Sequence, residues 1–166
     1  MAVLRRAMCM KHISVYLLFA LAIPSFCFAD VAKLSTDDRK ILQDASRFEE
    51  VHSTRDLPPG IAALCTGENG KMADPGQKWN ATDSIIDPTP PGKRLIWAGG
   101  EDGYYVVHYE RGGIAHNYHI LVAKLTNSTA KPKLGWSAMG GPFNNYTGFV
   151  AALRSGKQDD RLDYAH

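Results

Sequence analysis

The chain has 166 residues, 45% of them hydrophobic, with 19 Lys and Arg set against 17 Asp and Glu. That length suits one domain with its own core, and no internal repeat or long linker divides it. The basic residues are scattered rather than clustered, so the positive stripe that a phosphate backbone requires is missing and nucleic acid is not an expected partner.

Residues 1–29 read as a secretory signal. Arg5, Arg6 and Lys11 precede an apolar run from Val15 to Ile23, and the segment closes on the small residue Ala29. The run is about nine residues, whereas a bilayer-spanning helix needs roughly 20. Met10-Lys11-His12 is a second plausible start. The residues flanking Arg5-Arg6 do not fit a twin-arginine signal, and Phe26 before Cys27 does not fit a lipoprotein signal. The expected product is a periplasmic or secreted protein with no stable membrane anchor, whose single domain spans 30–166. Loss of Arg5, Arg6 and Lys11 leaves 16 basic and 17 acidic residues, a net charge of −1. Cys9 and Cys27 leave with the signal, so Cys65 remains without a partner for an internal disulfide. It follows the apolar stretch Ile61–Leu64 and is expected to be a buried structural thiol.

Helix signals open the domain. Ser35 or Thr36 is placed to cap, Asp37 and Asp38 suit the positive helix end, and Ile41, Leu42, Ala45 and Phe48 recur at helical spacing. Pro58-Pro59 starts a short helix running through Cys65, and the glycine- and proline-rich stretch 66–77 reads as a loop. Strand signals follow: a weak one over Thr82–Ile86, then Arg94–Ala98, Tyr104–Glu110, Ile114–Leu125 and Lys133–Ala138. The cluster Gly99–Gly103 reads as a turn, and Gly140-Gly141-Pro142 as a strand stop. Asn144 or Asn145 caps a last helix with Phe149, Val150 and Leu153 on its apolar face, ended by Gly156. The predicted fold is α+β, with one antiparallel sheet of four or five strands and the N-terminal and C-terminal helices packed on one face.

The hairpin spanning 104–122 carries the chemistry worth testing. Gly112-Gly113 suits a two-residue turn, which pairs Tyr109 with His116 and Val107 with Tyr118. That register sets Tyr105, Val107, Tyr109, His116, Tyr118 and Ile120 on one face, and Val106, His108, Glu110, His119 and Leu121 on the other. His108 and His119 then become diagonal neighbours with Glu110 beside them, roughly 7 Å apart at Cβ. Two imidazoles and a carboxylate at that spacing can hold a divalent metal or form an acid/base pair. Polar residues on a solvent-facing sheet surface would look the same. His108-x-Glu110 and His116-x-x-His119 match no spacing that selects a metal, so no cofactor is assigned.

The sequence lacks a nucleophile elbow, a phosphate loop and any Cys–His arrangement. Asn80-Ala81-Thr82, Asn127-Ser128-Thr129 and Asn145-Tyr146-Thr147 fit the glycosylation pattern, which matters only in a eukaryotic host. Small size, export and a compact antiparallel sheet point to a non-catalytic binding, inhibitor or accessory module for a protein partner. The alternative is a small metal- or histidine-dependent hydrolase using His108, Glu110 and His119.

Overall fold

The structure is a computed structural model, and it describes residues 34–44, 48–66, 70–127 and 131–156. The expected signal at 1–29, Ala45 and the charged tail from Lys157 lie outside the described residues. Helix α1 covers Thr36–Gln43, and the Ser35 side chain accepts from the Asp38 backbone N–H at 3.1 Å, the capping bond its position predicts. After β1 (Glu49–Val51) and a single 3₁₀ turn at Thr54–Asp56 comes α2, Pro59–Thr66. Then follow β2 (Lys93–Glu101), β3 (Tyr104–Arg111), β4 (Asn117–Lys124), β5 (Lys133–Met139) and α3 (Tyr146–Arg154).

The five strands form one antiparallel sheet in sequence order, β1-β2-β3-β4-β5. Such a meander needs only short reversals, and the β2–β3 reversal is the two-residue Asp102-Gly103, both at positive φ. The fold therefore has the predicted α+β class. Helices α1 and α3 share one face, where Leu42, Phe149, Val150 and Leu153 meet Trp97, Val106, Ile120, Val122 and Trp136. The short helix α2 lies on the other face, packing Ile61 and Cys65 with Leu95, Ala98, Val107, Tyr109, Leu121 and Ala123. A sheet buried on both sides shows runs of consecutive buried residues instead of alternation. In β4 the four residues from Ile120 to Ala123 are all buried.

Three expectations change. The turn proposed at Gly99–Gly103 begins later, because Gly99 and Gly100 sit inside β2 and pair with β1 and β3. Gly100 lies under the Tyr105 ring, where an added Cβ would meet ring carbons at 2.6 Å. Thr82–Ile86 forms no strand, only a single bridge from Thr82 to Gly113. Phe48 belongs to the core but follows the helix, at the entrance to β1.

Polar contacts tie the layers together. Asp38 in α1 receives Lys124 Nζ at 2.7 Å and Tyr104 OH at 2.9 Å. Burial opposes its ionisation, yet the hydrogen bonds from Lys124, Ser35 and Tyr104 prevail and hold its carboxyl below the usual range. Glu50 in β1 accepts the Tyr146 backbone N–H at 2.9 Å, and the Asn145 side chain caps α3 by accepting from Gly148.

Candidate functional site

The β3–β4 reversal decides what the hairpin histidines can do. Arg111 pairs with Asn117, so the loop is the five residues 112–116 rather than two, and Tyr109 faces His119. This differs from the predicted register by three positions, and an odd shift turns one strand over relative to the other. His119 therefore shares a face with Tyr109, while His108 pairs with Ile120 on the opposite face. The expected convergence of His108, Glu110 and His119 does not occur. Among the described residues, no group of three His, Cys, Asp or Glu is placed to hold a metal ion.

The physical reason for the longer loop lies at Gly112, whose backbone packs against Asn80 and Ala81, where an added Cβ would fall 2.0 Å from the Asn80 carbonyl oxygen. Its N–H donates to the Gly92 carbonyl at 2.9 Å. The glycine serves a close backbone approach, and the chain reverses only after it.

His108 is fully buried. Its Nδ1 lies 2.9 Å from the His119 carbonyl oxygen, and its Nε2 accepts the Phe143 backbone N–H at 3.2 Å. A carbonyl can only accept and an N–H can only donate, so Nδ1 carries the proton and Nε2 is bare. Trp97 Nε1 donates to the Phe143 carbonyl at 2.8 Å, which fixes the same residue from its other side. Burial pushes His108 down to about 4, against smaller opposing effects of the His119 carbonyl and Glu110. Both ring nitrogens are used, and the imidazole is a structural strut. His119 on the other face stacks on Tyr109, with ring centroids 5.1 Å apart and planes 8° from parallel.

Glu110 has different partners from those the sequence suggested. It is 4% exposed and bridges two cationic or ionisable groups, with Arg94 Nε on Oε1 and His116 Nε2 on Oε2 at 2.6 Å. Arg94 lies over the Trp79 ring at 5.0 Å, and Trp79 meets His116 edge-on at 5.3 Å. The network anchors the hairpin loop to β2 and to the segment before it. Sequence reasoning missed the Arg94–Glu110 pair because its members stand 16 positions apart and meet only through the β2–β3 register.

Beyond this network the loops reach solvent. Ile114 is 95% exposed at the hairpin tip, and Ile86 and Ile85 are 97% and 55% exposed on the neighbouring loop. Neither loop hangs loose. Asn80 Nδ2 donates to the Asp87 and Pro90 carbonyls at 3.0 and 2.9 Å, Asp87 accepts the Thr89 N–H, and Thr82 bridges to Gly113. Cys65 is fully buried, and desolvation pushes its thiol up to about 12, which keeps it protonated and inert.

Among the described residues no helix is long and apolar enough to cross a membrane. Comparisons with protein-family models, curated proteins and solved structures return no match to the chain.

Proposed function

We propose that the chain is a non-catalytic protein-binding module of the inhibitor or accessory kind, working in the periplasm or outside the cell. Its contact surface is the end of the sheet that carries Ile86 and Ile114. One observation supports this reading above the others: two isoleucines stand almost wholly in solvent on loops held by side-chain and backbone hydrogen bonds. Leaving two such side chains wet forgoes about 2 kcal/mol each relative to burial. A protein partner recovers that free energy, and prior ordering of the loops lowers the entropy lost on docking. Protruding apolar tips fit a concave partner surface. The hydrolase alternative draws on His108, Glu110 and His119 together, and the β3–β4 register, which sets His119 on the face opposite the other two, lends it less support.

The test compares the native protein with the Ile86→Asp/Ile114→Asp variant, each used to capture proteins from an extract of the exporting cell's envelope. The thermal midpoint is expected to stay within about 2 °C, because neither side chain is packed. A specific protein should be recovered with the native chain and lost with the variant. Identical recoveries, or none above background, would refute the reading.

A further inference from the structure

The same end of the sheet holds a charge arrangement that the isoleucine surface leaves unexplained. Arg111 closes β3, and the β2–β3 register sets it directly opposite Lys93, the first residue of β2. Like charges at directly opposed positions destabilise a sheet, because their Cβ atoms stand ~5 Å apart. Lys93 has some compensation: its Nζ donates to the Cys65 carbonyl at 2.7 Å and lies over the Tyr109 ring at 5.3 Å. Burial first, and then the charge of Arg111, hold its ammonium below the usual range. Arg111 is exposed, and no carboxylate among the described residues pairs with it. The nearest acid in sequence, Glu110, lies on the other face and is committed to Arg94 and His116.

Arg111 also lines a cavity of about 590 Å³ together with Ile114, Ala115, Asn117, His119 and Met139. That volume falls within the roughly 300–1,000 Å³ of small-ligand sites. Ile114, Ala115 and Met139 make its walls largely apolar, and Arg111 contributes the cationic group among them. A planar guanidinium matches a carboxylate through two parallel hydrogen bonds. A pair of like charges with no counter-ion among the described residues, beside an apolar hollow, fits a ligand that supplies both missing parts.

We propose that this cavity binds a carboxylate carried on a short apolar body. Arg111 takes the carboxylate, Lys93 adds to the attracting field, and Ile114 and Met139 cover the apolar part. Two sources share that chemistry: a free short-chain organic acid, and the C-terminus of a protein ending in an apolar residue. The site shares Ile114 with the isoleucine surface but rests on Arg111 and the cavity beside it, so a failure to capture a protein partner leaves the proposal standing.

Amide chemical shifts of the native protein, titrated with hexanoate, N-acetyl-leucine and hexanol, provide the test. Either acid should shift Arg111, Ile114, Asn117 and Met139 saturably, and the tighter of the two identifies the source. Arg111→Gln should weaken the acids at least tenfold. It should also raise the urea midpoint, since it relieves repulsion with Lys93, and that gain confirms the variant is folded. No saturable shift with either acid would overturn the proposal, as would hexanol binding as tightly as hexanoate, because that comparison needs no variant. Unchanged acid affinity in Arg111→Gln, or a midpoint that fails to rise, would overturn it equally.

Discussion

Acidification is the perturbation that His108 makes most informative. Its imidazole is neutral in the fold, with Nδ1–H given to the His119 carbonyl and Nε2 taking the Phe143 N–H. A second proton on Nε2 would face another N–H inside the core. The folded state therefore takes up that proton only near pH 4, whereas an unfolded histidine takes it up near 6.5. As pH falls below 6.5 the unfolded chain binds the proton first, so stability is lost through the window from 6.5 to 4 and is constant above it. A gap of that size corresponds to about 3 kcal/mol once complete, and to about 2 kcal/mol at pH 5. The assay is urea unfolding at pH 7 and pH 5, for the native protein and for His108→Gln, which keeps an acceptor within reach of Phe143. With a urea slope of about 1–2 kcal/mol/M, the native midpoint should fall by about 1–2 M more than the variant's. Asp38 and Asp74, both held below the carboxylate range, lose their contributions only at lower pH and drop out of this comparison. Equal pH dependence in the two proteins would refute the assignment of His108 as a neutral strut, and so would an NMR titration of its ring above pH 6.

Three further outcomes follow from the same contacts. Gly112→Ala drives a Cβ into the Asn80 carbonyl, and we expect a loss of about 2–4 kcal/mol in urea unfolding; a change under 0.5 kcal/mol would contradict the close approach. Glu110→Gln leaves Arg94 and His116 without their shared anion at a nearly buried position, and about 2 kcal/mol should be lost, less than the roughly 3–5 kcal/mol of a fully buried pair because both partners are partly exposed. Cys65 should resist thiol reagents at pH 8 in the native protein and react at once in urea, read by mass spectrometry; rapid native labelling would refute its burial.

Elements whose signals are local were legible in the sequence. Ser35 as cap, Pro58-Pro59 as helix opener and Asn145 ahead of Phe149 each act within one turn of chain, and each helix stands where those residues place it. Strand β1 was not legible, because Glu49-Glu50-Val51 has no strand pattern of its own and is extended only by pairing with Ala98–Gly100. At the site, Glu110 could be singled out as a polar residue in an apolar strand. Its partners could not, since Arg94 reaches it across the sheet and His116 reaches it around a loop whose length the sequence did not fix.

That loop length is where sequence reasoning met a real degeneracy. Hydrophobic alternation chooses a register only when one face is wet, and this sheet is buried on both faces. Moving β4 by an odd number of residues exchanges Ile120 and Val122 for Leu121 and Ala123, which buries apolar side chains on either side. With packing nearly indifferent, the local demand at Gly112 decides: its approach to Asn80 removes it from the turn and pushes the reversal into 113–116. The two-residue turn would have been the shorter closure, and the added residues gain little burial of their own, since Ile114, Ala115 and His116 are exposed. What they provide is placement. They bring His116 onto Glu110, carry Ile114 clear of the surface, and open beside Arg111 the cavity to which a carboxylate is assigned.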